Sequence, residues 1–279
     1  MEIIRGVERV AREQRVGVML TEFGPRHDPV GHPIGDTLAR RPACVVTVAQ
    51  LSQEQRDELQ ARDIPFVVFD PTTELPDDVP HVGATNWAGG RSAPRHLIEL
   101  GHRRIAMIAG HDRIRCCRAR LDGYRSALEV AGIRVDTDLV VHAELTRHDG
   151  RVAALRLLRC SERPTAIFEA GAVSPTFAGG VAVTDVLLAA SVTAVIAYND
   201  MIALGLISHI TARGVRVPQD VSVVGLDNIP TADLVTPPLT TVCQREEQCG
   251  RTAVDLLVDL LNEANGPASR AGSRPCNSS

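Results

Sequence analysis

The fold is decided by residues 193–242, which read TAVIAYNDMIALGLISHITARGVRVPQDVSVVGLDNIPTADLVTPPLTTV. The apolar run at 193–197 predicts a buried strand that leads into Asn199, and the periodic apolar residues after it predict a helix. A second apolar run, at 221–224, leads into Asp227. Two parallel strands joined by a helix, each followed by polar groups, predict a small-molecule site beyond the strand carboxyl ends.

Composition limits the possible classes of protein. The chain has 279 residues, which allows one large domain or two of about 100–150 residues each. Its hydrophobic content of 44% and charged content of 23% are typical of a soluble globular protein. The net charge of −4 argues against a surface that itself binds nucleic acid. The seven cysteines form no CxxC pair, which favours free thiols in a reducing compartment over disulfides or a zinc site.

The N-terminal residues point to the location of the protein. Residues 1–5 read MEIIR and lack the basic segment and apolar core of a signal peptide. No apolar run approaches the ~20 residues that span a bilayer. The sequence therefore predicts a cytoplasmic protein.

Strands and helices alternate along the chain. Helical periodicity covers residues 2–14, and Ser52 with Gln55 forms a capping-box pattern. The predicted strands of the first half are residues 16–20, 43–49, 64–70, 82–85 and 104–109. This alternation predicts an α/β fold with parallel sheets covered on both faces.

The middle of the chain contains an internal echo. A helical pattern at 150–158 is followed by an apolar run at 164–168, and the pair recurs at 180–188 and 193–197. One interpretation is a local duplication. The other is the ordinary periodicity of helix–strand units, which all resemble one another to some extent.

Six motifs, in order and spacing, resemble the effector-binding core of the lactose/galactose-repressor (LacI/GalR) family of bacterial transcription regulators. They are residues 64–70 (IPFVVFD), 86–106 (NWAGGRSAPRHLIELGHRRIA), 120–128 (RLDGYRSAL), 198–205 (YNDMIALG), 217–227 (VPQDVSVVGLD) and 238–242 (PLTTV). Each motif alone is weak evidence, whereas their common order is specific.

The resemblance implies a periplasmic-binding-protein-like fold of type I, with two Rossmann-like parallel-sheet subdomains. On this basis we expect an N-terminal subdomain at 1–108 plus 245–263, a C-terminal subdomain at 109–244, and a disordered tail at 264–279. The first and last strands of the family core are expected to be missing. The segment around residues 142–170 is longer than the family pattern leads us to expect.

The resemblance also implies a function. Such cores bind a sugar-like or nucleoside-like effector in the cleft between the subdomains, form homodimers, and control operator affinity through an N-terminal helix-turn-helix headpiece. That headpiece is absent from this sequence, so we expect no operator binding by this chain itself. The alternatives are a sugar-binding protein of a transport system and an inactive truncated remnant.

Three residues are the main candidates for effector binding, and for Arg120 and Asp227 the resemblance implies this role. Arg120 carries a guanidinium that can fork across two hydroxyl groups, although it also lies in an Arg-rich stretch. Asn199 can donate to and accept from a hydroxyl, or it can cap the helix that follows. Asp227 can accept from effector hydroxyls, or it can form a turn before Asn228.

Three further residues are weaker candidates for effector binding. Asp70 ends a predicted strand, Trp87 begins a predicted helix, and Gln244 follows the last motif. The histidines lack metal-ligand spacing, so neither a metal site nor a cofactor is predicted. No GxSxG, Walker or HExxH motif occurs, and the chain is therefore predicted not to be an enzyme.

Overall fold

The computed structural model describes most of the chain. The described residues are 2–21, 33–48, 51–143, 147–157, 159–160, 162–170, 175–189 and 191–265. The expected disordered tail falls mostly outside them. Among them, no helix combines the length and apolar character needed to cross a membrane.

The chain divides into two compact units, and the first comprises Met1–Ala84 with Glu246–Ser279. It is built on a parallel three-stranded sheet in the order β1-β2-β3. Its elements are the helices α1 (Glu2–Glu13), α2 (Pro33–Ala39), α3 (Gln53–Gln60) and, last in the chain, α9 (Glu246–Asn265), and the strands β1 (Val45–Thr47), β2 (Phe66–Phe69) and β3 (His81–Val82).

Both faces of this sheet are covered. Val68 packs in a cluster with Ile34 of α2 and Leu59 of α3. Val67, which points to the opposite face of β2, packs with Ala253 and other apolar residues of α9. Successive side chains of β2 thus pack into two different apolar layers, as expected for a strand of a parallel sheet that is covered on both faces.

The capping box at Ser52 is confirmed. The Ser52 hydroxyl accepts from the backbone N–H of Gln55 at 3.2 Å, and the Gln55 side chain accepts from the backbone N–H of Ser52 at 2.9 Å. Two N–H groups at the start of α3 are thereby satisfied.

The predicted strand at residues 16–20 is wrong. The segment has no regular structure, and its apolar side chains are exposed, with Val16 at 53% and Leu20 at 74%. A short apolar run becomes a strand only where a neighbouring strand pairs with it. Among the described residues the sheet of this unit begins at β1, and none of its strands pairs with residues 16–20.

The second unit, Thr85–Arg245, is built on a parallel six-stranded sheet in the order β5-β4-β6-β7-β8-β9. Its strands are β4 (Ile105–Ala109), β5 (Val140–His142), β6 (Ala166–Ala170), β7 (Ala194–Ile196), β8 (Ser222–Asp227) and β9 (Thr240–Cys243). Its helices are α4 (Asn86–Glu99), α5 (Arg115–Val130), α6 (Arg147–Leu157), α7 (Phe177–Ala189) and α8 (Asp200–Ala212).

The helices of the second unit lie on the two faces of its sheet. Leu97 of α4 and Tyr124 of α5 pack against Met107 and Phe168 on one face. Leu157 of α6 belongs to the core on the other face, together with residues of α7 and α8. The unit therefore has the three-layer arrangement expected of a doubly wound parallel sheet.

The boundary between the units differs from the predicted one. It follows Ala84, whereas the motifs suggested residue 108. The reason is that α4 packs along α5, and β4 pairs with β5 and β6, so both elements belong to the second sheet. The second passage of the chain between the units follows Arg245.

The long segment at 142–170 is part of the second sheet. It forms the end of β5, helix α6 and strand β6, and β6 pairs with β4 on one side and β7 on the other. The two strands of the internal echo therefore lie side by side, with Ala166 opposite Ala194 and Phe168 opposite Ile196.

Glycines allow close crossings of three helix pairs. A Cβ at Gly6 of α1 would lie 2.0 Å from the Glu247 carbonyl oxygen of α9, and one at Gly90 of α4 would lie 2.5 Å from the Cα of Arg120. A Cβ at Gly205 of α8 would lie 2.1 Å from the Phe177 carbonyl oxygen. Any side chain at these positions forces the helices apart.

Candidate functional site

Arg120 occupies a fixed, buried position on α5. It is 5% exposed, and its Nε donates to Asn86 Oδ1 at 3.0 Å. Its Nη1 donates to the Tyr198 carbonyl oxygen at 2.9 Å, and the guanidinium lies 4.3 Å from the centre of the Tyr198 ring. A guanidinium held by two hydrogen bonds and an aromatic ring presents its other N–H groups in a set direction.

The aromatic partner, Tyr198, lies beyond the end of β7 next to thiol groups. Its hydroxyl is 3.8 Å from Cys116 Sγ, and burial raises the pKa of the Tyr198 phenol. A hydrogen bond with Cys116, together with burial, raises the pKa of the Cys117 thiol. These groups therefore stay neutral at physiological pH and act as hydrogen-bonding rather than charged groups.

Asn199 uses its side chain within the protein. Its Oδ1 accepts from the backbone N–H of Ile202 at 2.9 Å and caps α8, while its Nδ2 donates to the Pro175 carbonyl oxygen at 3.2 Å. The helix-capping role is therefore present in this structure, and the amide is half-buried next to the Arg120–Tyr198 contact. Contact between Asn199 and an effector stays a prediction.

The next residue, Asp200, ties together the ends of the neighbouring strands. It is fully buried and accepts from the Ile229 backbone N–H at 2.9 Å and from Thr241 Oγ1 at 2.5 Å. Burial raises the pKa of this carboxyl, an effect that its hydrogen bonds partly offset. Gly225 leaves room for it, because a Cβ there would lie 2.1 Å from Asp200 Oδ1.

Asp227 ends β8 beside this anchor. It has a positive φ of 124°, and Asn228 after it has a φ of 60°. The Asn228 N–H donates to Thr241 Oγ1 at 3.2 Å, so the loop is held by the same hydroxyl that contacts Asp200. Residues in such conformations cost about 1–3 kcal/mol and often occur at binding sites.

Gln244 is buried beneath the start of α4. It is 2% exposed, and its Oε1 accepts from Thr85 Oγ1 at 3.2 Å. Its Nε2 has no hydrogen-bond acceptor among the described residues. Gly89 gives it space, since a Cβ there would lie 3.3 Å from this nitrogen.

The remaining two candidates differ in position. Trp87, in the first turn of α4, is 47% exposed, and the Arg91 guanidinium lies 5.8 Å from its ring centre. Asp70 belongs to the first unit, where it ends β2 with a φ of 43° and accepts from the Ala84 N–H at 3.3 Å. The structure therefore brings Arg120, Asn199 and Asp227 to neighbouring strand ends of one sheet, whereas Asp70 lies at the end of a strand of the other.

Comparison with known families accounts for both units. Residues 95–277 match the model of the periplasmic binding protein-like domain, and residues 1–185 match that of periplasmic binding proteins and the sugar binding domain of the LacI family. The chain belongs to the LacI family. The predicted family and the predicted fold of two parallel-sheet α/β subdomains are confirmed.

Members of the LacI family with similar sequences are regulators of transcription. The HTH-type transcriptional repressor PurR of Vibrio atlanticus (strain LGP32) is 30% identical over 266 residues, which cover 94% of this chain and 70% of the repressor. A LacI-family regulator from Enterococcus faecium, solved with bound ribose, is 25% identical with a TM-score of 0.72, covering 92% of this chain and 84% of that one. The regulator CelR in complex with cellobiose is 30% identical with a TM-score of 0.67, covering 94% and 72%.

As a LacI-family effector-sensing core, the chain contains polar residues at the strand ends that sequence reasoning missed. Asn86 and Tyr198 hold Arg120, and Glu169 is 5% exposed within β6. The signal for Glu169 was a carboxylate in the otherwise apolar run AIFEA. The signal for the other two lay inside the family motifs, but nothing in them indicates which residue the guanidinium contacts.

Metal-ligating residues do not cluster in the described part of this LacI-family chain. Within it, no group of three or more His, Cys, Asp or Glu side chains is arranged to hold a metal ion.

Proposed function

We propose that this chain senses a sugar-like or nucleoside-like effector, which Arg120, Asn199 and Asp227 contact. The observation that carries the proposal is the buried guanidinium of Arg120, fixed by Asn86 and the Tyr198 carbonyl. These two bonds use two of the five N–H groups of an Arg side chain. The remaining N–H groups can donate to two neighbouring hydroxyl groups of a ligand, because the guanidinium is a planar fork.

Relatives indicate which effectors to test first. Ribose is bound to the regulator from Enterococcus faecium, and cellobiose to CelR. Both are neutral sugars rich in hydroxyl groups. We propose an effector of this class, with nucleosides as the second class because they carry a sugar.

The three weaker candidates are proposed as additional contacts with the effector. The Gln244 amide has a buried N–H group that an effector oxygen can accept from. Trp87 offers an exposed ring face on which a sugar can stack. Asp70 is kept as a proposed hydrogen-bond acceptor for the effector, at the carboxyl end of β2.

The proposed output is control of transcription. Effector binding changes operator affinity only if the effector binds two conformations of the regulator unequally. DNA reading is assigned to a helix-turn-helix headpiece of the regulator, because this chain has a net charge of −4. We also propose that the protein acts in the cytoplasm and is a binding protein, not an enzyme.

The effector proposal is tested by thermal shift and calorimetry with D-ribose, cellobiose and adenosine. A bound ligand raises the melting temperature by mass action. We expect at least one probe to raise the melting temperature. Arg120→Ala should weaken the binding of that probe by about 100-fold, because the charged hydrogen bonds to the ligand are lost. Arg125→Ala is the matched control, because Arg125 is an exposed Arg on the same helix.

Two results would contradict the effector proposal. One is a wild-type chain whose melting temperature none of the probes raises. The other is an Arg120→Ala variant that binds a probe with wild-type affinity, which would place the site elsewhere. Circular dichroism of the Arg120→Ala variant separates a lost contact from a lost fold.

A homodimer is proposed from an exposed apolar patch of the second unit. Phe177 is 41% exposed, Met201 41% and Leu234 79%. The Phe177 carbonyl packs on Gly205, one turn beyond Met201 on α8, and Ile229, shortly before Leu234, donates to Asp200 at the start of α8. We take these exposed side chains on neighbouring elements as one apolar patch, which favours a protein contact over isolated exposure.

Sedimentation velocity tests the homodimer. We expect a dimer of the wild-type chain and a monomer for Leu234→Asp, because a buried charge at an apolar interface is costly. Val130→Asp is the control, since Val130 is 72% exposed at the end of α5 and lies outside the patch. A wild-type monomer, or a Leu234→Asp dimer of unchanged affinity, contradicts the proposal.

A further inference from the structure

A cavity of about 350 Å³ lies in the second unit between helix α6 and the end of strand β5. Its walls come from the loop after β4, from the end of β5 and from α6. The lining residues are His111, Asp112, Val141, His142, Ala143, Asp149, Val152, Ala153 and Arg156. The volume lies near the lower end of the range for small-molecule sites.

The cavity lies on the other face of the sheet from the helix that carries Arg120. Val141 and Ala153 belong to the apolar core on the α6 face, whereas α5 packs on the opposite face. Strand β5 is at the edge of the sheet, and β4 and β6 separate it from β7, which leads to Tyr198. Three strand spacings correspond to about 14 Å. The cavity is therefore separate from Arg120 and its partners.

His142, one of the lining residues, has a defined tautomer. Its Nδ1 lies 3.1 Å from Asp112 Oδ1 and 3.3 Å from the Gly110 carbonyl oxygen. Both oxygens only accept hydrogen bonds, so Nδ1 carries the proton and donates. In the neutral ring Nε2 then has a lone pair, and among the described residues no donor contacts it. His142 therefore has an acceptor available for a ligand N–H group.

Arg156 brings a guanidinium to the same cavity. It is exposed, and its side chain has no hydrogen-bond or ion-pair partner within the part of the chain that the structure describes. A guanidinium can hold a carboxylate through two parallel N–H···O bonds. Its position on the cavity wall therefore favours a ligand that bears a carboxylate.

The aspartates favour a ligand that is also positively charged. Asp112 and Asp149 both line the cavity, so its ionised side chains are two acidic groups and one basic group. The aspartates repel a ligand that is only anionic, and Arg156 repels one that is only cationic. A zwitterion suits both kinds of charge. The remaining walls are apolar and suit a small apolar group; they are formed by Val141, Ala143, Val152 and Ala153.

We propose that this cavity is a second ligand site, which binds a small amino acid with an apolar side chain. Arg156 holds the carboxylate, while the ammonium group donates to His142 Nε2 near the two aspartates. The side chain of the amino acid packs on the apolar wall. The inference goes beyond the proposed function and does not require it, because the cavity is separate from the proposed effector contacts.

Isothermal titration calorimetry on the full chain tests the site with L-alanine and L-valine. Each amino acid is compared with the amine and the carboxylate that lack one of its charged groups. These analogues are ethylamine and propionate for alanine, and isobutylamine and isovalerate for valine. We expect at least one amino acid to bind at least about tenfold more tightly than either of its analogues, because each analogue loses one charged interaction.

Two pairs of variants assign the contacts. Arg156→Ala is expected to weaken amino-acid binding by at least about tenfold. Its control is Arg159→Ala, since Arg159 is exposed three residues later and does not line the cavity. His142→Ala is expected to weaken binding by about fivefold, and His148→Ala, at an exposed position of α6, is its control. Arg120→Ala should leave the amino-acid affinity unchanged, because Arg120 lies on the helix of the opposite face.

Four outcomes overturn the inference. They are the absence of binding by both amino acids, an analogue that binds as tightly as its amino acid, wild-type affinity of Arg156→Ala or His142→Ala, and loss of binding in Arg120→Ala that circular dichroism shows to be folded. The last result would place the amino acid among the proposed effector contacts. Sugar and nucleoside probes judge the proposed function separately, so it can survive the failure of this second site.

Discussion

Strands β6 and β7 begin alike and end differently. Both follow a helix, both open with Thr-Ala and an apolar pair, and they lie side by side in register. Beyond the apolar pair, β7 leads to Asn199 and Asp200, which cap a helix and anchor neighbouring loops. Directly after its own apolar pair, β6 has Glu169 where β7 has Ala197.

The two strands are therefore alike in their apolar residues and differ in the polar residues near their ends. The polar groups after β7 are satisfied by backbone N–H groups and a hydroxyl of the protein, so they stabilise the fold. The carboxylate of β6 occupies a position that its neighbour fills with Ala197. The apolar residues that the two strands share pair within the sheet, whereas the polar residues at their ends can differ without changing the fold.

The largest expected effect is at Asp200. Asp200→Ala leaves the Ile229 N–H and the Thr241 hydroxyl without their buried acceptor. We expect the free energy of unfolding to fall by about 3 kcal/mol, measured by urea denaturation at pH 7. Asp233→Ala, at an exposed position, should change it by less than about 0.5 kcal/mol. A loss below about 1 kcal/mol for Asp200→Ala would contradict the inference that Asp200 stabilises the ends of the neighbouring strands.

The helices that follow the two strands provide the next test. Gly180 of α7 and Gly205 of α8 each pack on the backbone of the other helix. We expect Gly205→Ala to cost about 2 kcal/mol, because its Cβ meets the Phe177 carbonyl oxygen. Gly180→Ala should cost a similar amount, and the double variant less than the sum, since one separation of the helices relieves both contacts.

Ser208→Ala, at an exposed position of α8, controls for helix propensity in that experiment. If Gly205→Ala is as stable as this control, the close crossing of α7 and α8 is contradicted. Thermal denaturation followed by circular dichroism gives both values.

Asn199 sharpens the contrast between capping and binding. Asn199→Ala should cost about 1 kcal/mol, because α8 loses its N-cap. Asn199→Asp keeps the cap oxygen and should retain most of the stability, although it loses the donor to the Pro175 carbonyl. Urea denaturation of the two variants checks this; equal losses would show that the cap contributes little. Calorimetry on Asn199→Asp then reports whether the amide also contacts the effector.

The smallest expected effect is a pair of opposite pH dependences. Burial raises the pKa of Asp200 above 3.8, so the folded chain holds this proton more tightly than the unfolded chain. That contribution to stability is complete below pH 3.8 and is lost as pH rises through the folded pKa. The difference in unfolding free energy between wild type and Asp200→Asn should therefore decrease with rising pH in this window.

Asp220 is the control of opposite sign. A hydrogen bond from Arg216 lowers the pKa of its carboxyl from 3.8 to about 2. Its stabilising contribution is present above pH 3.8 and is lost as pH falls toward 2. Chemical denaturation of Asp220→Asn beside wild type should show this slope. Slopes of the same sign for the two aspartates would contradict the inference that burial is the main influence on the pKa of Asp200.

The sequence by itself determined the α/β class, most of the strands, the capping box at Ser52 and membership of the LacI family. These features are legible because apolar periodicity and capping depend on residues only a few positions apart. Arg120, Asn199 and Asp227 could be selected for the same reason, since each stands at a recognisable place in a local motif. Their contacts with an effector remain predictions for the experiments above.

Only the tertiary structure decided the order of the strands, and with it the features that depend on pairing. It left residues 16–20 without a strand partner in the described sheet, and it moved α4 and β4 into the second unit. It also placed β5 at the edge of the sheet, where α6 and the loop after β4 complete the cavity. Strand order depends on contacts between residues far apart in the chain, and a local pattern that shows a strand is buried does not show beside which strand it lies.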